Sequence, residues 1–231
     1  MIVVLPVYIR DERSALKNFE LLARWREKSQ MRCIVAMEQN QPMTRVVAAA
    51  REYFQNVDEF NYPKVPTSGW PQAPNFAWQQ TALHVRQHYK QPWLWWEPDA
   101  VPLRRDWLSM IEREYERGRR PLMGHIVAGM GHCNGVAVYP ENMPDLSRRA
   151  MRATGLAWDS EMRADTINLT HNANHIFAHC FWLGNGCCNN GSGKEPSFPT
   201  WQLVQRVVNM RCALFHRCKD GSLQQRLIEK T

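Results

Sequence analysis

The 231 residues contain no Walker lysine–hydroxyl pair, and no spaced glycine triplet opens a helix after the first apolar run. Phosphate-loop and dinucleotide-dehydrogenase chemistry are therefore set aside. No serine stands in a Gly-x-Ser-x-Gly elbow, so a hydrolase triad finds little support. The seven cysteines are odd in number and lack paired, regular spacing, which argues against a secreted disulfide framework. The opening apolar run, residues 1–7, is too short for a signal-peptide core and has no basic lead-in. No stretch approaches the ~20 apolar residues of a membrane span. There is no internal repeat. Together these absences lead to the expectation of a reduced, cytoplasmic protein, and 231 residues are enough for one sizeable core or for one domain with an appended lobe.

Tryptophan, by contrast, is plentiful. There are ten, most of them between Trp70 and Trp107, suited equally to a core and to stacking on sugars or bases. The net charge of +7 favours an anionic partner: nucleotide, nucleic acid or membrane surface. Arginines cluster at Arg104-Arg105, at Arg117 with Arg119-Arg120, and at Arg148-Arg149 with Arg152. The plainer reading of such clusters is a solvated helix face.

Apolar periodicity gives an alternation of strands and helices. Residues 2–8 read as a buried strand, and a helix over 16–25 follows, capped by Asp11 or Ser14. A second strand over 32–38 ends on Glu38, and a helix spans about 44–54. This β–α–β–α order implies a parallel sheet with right-handed crossovers. Five prolines and glycines in residues 62–74 make a constrained loop, after which Asn75 is expected to cap a helix over 76–89. Its inward residues would be Ala82, Leu83 and Val85. Asp106 opens a helix over 107–117. Two apolar runs flank a glycine-rich stretch, Gly129 to Asn134, and a helix is expected over 142–153. Residues 187–199 read as loop, and a last strand covers Ala213-Leu214-Phe215.

The chemistry concentrates at Trp93-Leu94-Trp95-Trp96-Glu97-Pro98-Asp99. Proline cannot donate to a sheet ladder, so the strand stops there. Glu97 and Asp99 then lie past the carboxyl end of a core strand, where open α/β sheets hold ligands. Two acids so placed repel unless a positive charge joins them, and hard cations take carboxylate oxygens. His216 also ends a strand, so imidazole and carboxylates can meet on one sheet edge. Two oxygens and one nitrogen suit Mn²⁺, or Mg²⁺ if the histidine is not a ligand. Lys219, three residues on, could contact the phosphates of a diphosphate held there. The plainer alternatives are an acidic turn and a surface histidine. A second candidate is His171, His175 and His179, which would share one face of a helix. Two of them could join Cys180, Cys187 or Cys188 around a structural zinc, but the outer pair would stand about 12 Å apart along the axis.

Taken together, several segments resemble a known family. They are the first strand over 2–8, the second ending at Glu38, Gly69-Trp70-Pro71 with Pro74-Asn75, and Trp95-Trp96-Glu97-Pro98-Asp99-Ala100-Val101-Pro102. Asn134-Gly135-Val136-Ala137-Val138-Tyr139-Pro140 and the late His216-x-x-Lys219-Asp220-Gly221-Ser222-Leu223 complete the set. In this order they resemble glycosyltransferases of the GT-A fold, and most closely the small enzymes encoded by bacteriophages.

The resemblance implies an α/β fold with a mostly parallel central sheet flanked by helices. It implies one domain over 1–231, with a donor-nucleotide half (1–103) and an acceptor half (104–231). Asp99 and His216 would hold Mn²⁺ or Mg²⁺ against the diphosphate of a nucleotide sugar, a UDP-sugar by expectation. Glu97 stands where the family has aspartate, and would touch the metal or the ribose. Pro6, Tyr8 and Glu38 would frame the nucleobase, and Lys219 would contact phosphate. Asp159 would be the catalytic base or acceptor contact, unless it is only a helix cap. The loop after Cys187 would close over the donor. The basic balance and interleaved aromatics are what double-stranded DNA with hydroxymethylated pyrimidines would need as an acceptor. A glycan, lipid-linked sugar or protein acceptor, a nucleotidyltransferase, and a non-enzymatic nucleic-acid-binding module stand as alternatives.

Overall fold

The computed structural model describes residues 1–67, 69–127, 129–179, 212–216 and 222–229. The strands are β1 (Ile2–Val7), β2 (Ser29–Glu38), β3 (Phe54–Tyr62), β4 (Trp93–Trp95), β5 (Val101–Pro102), β6 (Leu122–Ile126), β7 (Cys133–Tyr139), β8 (Thr170–Asn172), β9 (Phe177–His179) and β10 (Leu214–His216). The longer helices are α1 (Glu12–Arg24), α2 (Thr44–Tyr53), α3 (Gln72–His88) and α4 (Trp107–Gly118). Four short ones follow: α5 (Met143–Leu146), α6 (Trp158–Glu161), α7 (Arg163–Thr166) and α8 (Ser222–Ile228).

Seven strands form the central sheet in the order β3-β2-β1-β4-β7-β6-β8. Only β7 runs against the rest, antiparallel to both β4 and β6. The sheet is therefore mostly parallel, as expected. A small second sheet, β5-β10-β9, joins Val101 to Phe215 and so carries the late histidine back to the turn after β4.

Strand pleating divides the core between two faces, because successive side chains point to opposite sides. Val3, Leu5, Val7, Leu94 and Trp96 pack with α1, α2 and α4. Ile2, Val4, Trp93 and Trp95 pack with α3, Tyr139 and Trp158 on the other face. Trp78, Trp93, Trp95, Trp96 and Trp107 are fully buried, so most of the tryptophan cluster is core. Each indole removes roughly 150–250 Å² from water, on the order of 4–6 kcal/mol at ~25 cal/mol/Å² before ordering entropy. Trp70, 76% exposed, is the exception that remains available for stacking.

Several local expectations are corrected. The strand β3 was not anticipated: Gln55, Asn56, Asp58 and Glu59 interrupt any apolar pattern, as befits the edge strand it is. The third helix starts at Gln72, and Pro74 is tolerated in its first turn, where no donor is lost. Asn75 is therefore not its cap. Its buried amide donates to the Ala153 and Leu156 carbonyls and accepts from the Trp158 backbone N–H. Leu83 faces out, 46% exposed. The helix expected over 142–153 breaks after Leu146, where the Ser147 hydroxyl donates to Asp165. The glycine-rich stretch is the β6–β7 turn: Gly129 and Gly131 adopt φ of 78° and 65°, which only glycine takes without strain.

Candidate metal and donor site

Because β1 and β4 run parallel, their carboxyl ends emerge together, with Trp96 donating its backbone N–H to the Val4 carbonyl. The chain then turns within four residues, closed by Ala100 N–H donating to the Glu97 carbonyl. Pro98 enforces the break, and Glu97 and Asp99 leave the turn toward His216 at the end of β10. The His216 Nε2 atom lies 3.0 Å from Glu97 Oε2 and 3.3 Å from Asp99 Oδ1. One ligand atom from each of these three residues lies within 4.8 Å of the others. The strand ends thus bring together the three residues that the sequence pattern singled out.

The imidazole is oriented from behind. Asn134 Oδ1 accepts from the Val136 backbone N–H at 3.0 Å, and His216 Nδ1 lies 2.8 Å from the same oxygen. An oxygen already accepting a bond takes a donor from Nδ1, so Nε2 is the nitrogen turned to the carboxylates. This is the support a metal-bound histidine ordinarily has. Burial works against protonation of His216, but Asp99 and Glu97 outweigh it and lift its pKa to about 10. Without a cation, an imidazolium therefore bridges the two acids. A divalent ion could take that place, and the donor set of two carboxylates and one neutral imidazole fits Mn²⁺ better than Ca²⁺.

Asp159 follows Trp158, whose ring lies against Gly135. A Cβ on Gly135 would come within 2.9 Å of the Trp158 ring and 3.2 Å of Glu97 Oε1, so only glycine lets these side chains approach. Asp159 lies inside α6, and the cap position belongs to Ala157, so the N-cap alternative fails. Burial raises its pKa, His132 draws it back, and Glu97 raises it further. His132 Nε2 stands 3.8 Å from Asp159 Oδ2. His132 was missed from sequence, and its only signal was a place in a glycine-rich turn.

Pro6 lies inside β1, opposite Ala36. Tyr8 follows that strand, and its hydroxyl donates to the Ala73 carbonyl at 3.0 Å, tying β1 to the start of α3. Burial and the neighbouring Tyr62 hold its phenol well above 10. Glu38 ends β2, 8% exposed, with Gln41 donating to it at 3.4 Å. These three residues lie along or at the carboxyl ends of neighbouring strands. Lys219 and the loop after Cys187 lie outside the described residues. So do Cys180, Cys187 and Cys188 of the zinc candidate. Its histidines share no helix: His171 is in β8 and His175 in the following turn, 2.6 Å and 3.4 Å from Glu114, while His179 ends β9. Among the described residues, Glu97, Asp99 and His216 are the one group of three or more such side chains close enough to share an ion.

No protein-family model matches the chain, and no curated protein does. Solved structures do. Galactosyltransferase LgtC, in complex with donor and acceptor sugar analogues, matches with a TM-score of 0.60 at 12% identity, covering 99% of this chain and 94% of its own. Mouse xyloside xylosyltransferase 1 matches at 0.57 and 8% identity, over 95% of this chain and 98% of its own. The bifunctional glycosyltransferase WbbM matches at 0.60 and 10% identity over all of this chain, which spans 50% of WbbM. The fold is the GT-A type of nucleotide-sugar glycosyltransferases. Among the described residues no helix is long and apolar enough to cross a membrane.

Proposed function

We propose that this protein is a metal-dependent glycosyltransferase, moving a sugar from a nucleotide donor to an acceptor hydroxyl. The observation that carries the reading is the convergence of Glu97, Asp99 and His216 at the carboxyl edge of a GT-A sheet. Asp99 and His216 hold Mn²⁺ or Mg²⁺, and Glu97 completes the site or reaches the ribose. Such an ion supplies Lewis-acid neutralisation of the leaving diphosphate. Pro6, Tyr8 and Glu38 frame the base of a UDP-sugar, and Lys219 meets the phosphates. Asp159 takes the acceptor's proton or orients its hydroxyl, and burial makes its carboxylate a better base. On this reading residues 1–103 serve the donor and 104–231 the acceptor.

The preferred acceptor is hydroxymethylated pyrimidine in duplex DNA, which would place the enzyme among phage-encoded transferases in a bacterial cytoplasm. Its support is the +7 charge and the exposure of Arg105, Arg119, Arg148 and Arg152. Arg104, Arg117 and Arg149 instead pair with Asp106, Glu114 and Asp165, which reduces the free basic surface. The exposed Trp70 favours a second acceptor class, a glycan stacked on the indole. A screen of nucleotide sugars with Mn²⁺, reading release of nucleoside diphosphate, tests the donor half. Acceptor affinity that falls steeply with salt supports DNA, whereas salt-insensitive transfer to a sugar supports the glycan.

A further inference from the structure

The buried face of α1 carries one polar residue among Ala15, Phe19, Leu21 and Leu22. It is Asn18, fully buried. Its Nδ2 donates to the Pro98 carbonyl at 2.9 Å and to the Ala100 carbonyl at 3.1 Å. Those carbonyls bracket Asp99, and Pro98 is the residue between the two acids. Asn18 Oδ1 in turn accepts from Gln224 Nε2 at 3.1 Å, and Gln224 is fully buried on α8. The amide orientation follows without ambiguity. Backbone carbonyls only accept, so the atom facing them is nitrogen, and the remaining oxygen takes Gln224's donor.

We propose that Asn18, locked by Gln224, is a positioning residue that sets the Glu97–Pro98–Asp99 turn for metal binding, so that the C-terminal helix takes part in building the site. The inference rests on the metal-site reading above. From behind the turn, three restraints act together: the Ala100 N–H bond to Glu97, the Trp96 indole N–H donating to the Ala100 carbonyl at 2.7 Å, and the Asn18 amide. The first two fix the ends of the turn. Asn18 alone among them reaches its middle, the Pro98 peptide, whose rotation would swing both carboxylates relative to His216. Apolar side chains would fill the same space on α1, but they would leave the Pro98 carbonyl without this donor in a dry environment. Asparagine on that face is thus explained by the turn it serves and not by packing.

The test uses the full-length protein and Mn²⁺ alone, with free Mn²⁺ read by electron paramagnetic resonance and folding by circular dichroism. Asn18→Ala should weaken Mn²⁺ binding about tenfold or more, the usual cost of losing support behind a ligand. Gln224→Met keeps the bulk of α8 but frees the Asn18 amide, and a measurable loss smaller than that of Asn18→Ala is expected. Val47→Ala, buried on α2 with no hydrogen bond to the turn, should lower the melting temperature and leave Mn²⁺ affinity unchanged. Should Asn18→Ala fail to fold, Gln224→Met decides. A folded Asn18→Ala, or failing that Gln224→Met, that binds Mn²⁺ as tightly as the wild type overturns the proposal. If the wild type itself takes up no Mn²⁺ beyond that of Asp99→Asn, the metal-site reading falls and the proposal falls with it.

Discussion

Cation uptake at Glu97, Asp99 and His216 must expel a proton. Burial opposes a charge on His216, yet Asp99 and Glu97 hold its pKa at about 10, against an ordinary 6.5. At pH 7 the imidazole is therefore almost fully protonated, and its Nε2 becomes a ligand only after deprotonation. Close to one proton should leave per ion bound, and affinity should tighten about tenfold, or 1.4 kcal/mol, per pH unit. That slope should vanish near pH 10. Calorimetric titration of Mn²⁺ in two buffers of different ionisation enthalpy, at pH 7 and pH 8, measures both quantities. The metal-free protein should behave in the opposite sense. A raised histidine pKa contributes stability that is complete below about 6.5 and is lost as pH rises through about 10. The shift corresponds to a few kcal/mol at most, so the melting temperature of the metal-free protein should fall across that window, and in His216→Asn it should not. Equal heats in both buffers, with affinity independent of pH, would refute the reasoning.

Two further perturbations probe groups on either side of the sheet. Asp159→Asn should cut turnover about 10²–10⁴-fold if the carboxylate acts as base. The same change should raise the melting temperature at neutral pH. Burial lifts the Asp159 pKa, so the stability it contributes is present at low pH and is lost as pH rises through the raised value; assays of both on one preparation check this. Glu114 has the reverse sign: burial pushes its pKa up, but Arg117, His171 and His175 outweigh this and bring it to about 2. Its stabilisation is present above about 4.5 and is lost toward pH 2. Glu114→Gln should cost about 1–3 kcal/mol at pH 7 in denaturant unfolding and flatten the acid limb.

The metal-site trio was legible because His216 closes one apolar strand and Glu97 and Asp99 follow the end of another, and strand ends in an α/β sheet converge. Trp93-Leu94-Trp95-Trp96 and Ala213-Leu214-Phe215 announce burial by composition alone, and the polar residue that follows each is thereby placed on the edge. What the pattern does not carry is the long-range partner of a buried amide. Asn75 resembles a helix cap in sequence, yet its bonds run to Ala153, Leu156 and Trp158. Asn18 looks like a helix residue of no account, and Asn134 like part of a glycine-rich loop. Their roles depend on carbonyls and rings about 80 positions away. The edge strand β3 escaped for a different reason: one of its faces is wet, so its apolar signal is diluted. The histidines at four-residue spacing misled because period alone does not make a helix. Thr170 to Asn172 pairs instead as the far edge of the sheet.

The most direct test of the account is release of nucleoside diphosphate from nucleotide sugars by the wild type and by Asp99→Asn, each with and without Mn²⁺. The wild type should turn over at least one donor only with the ion. Asp99→Asn, folded to the same circular dichroism spectrum, should lose that turnover. Activity in Asp99→Asn equal to the wild type, or turnover indifferent to Mn²⁺ and to chelator, would contradict it.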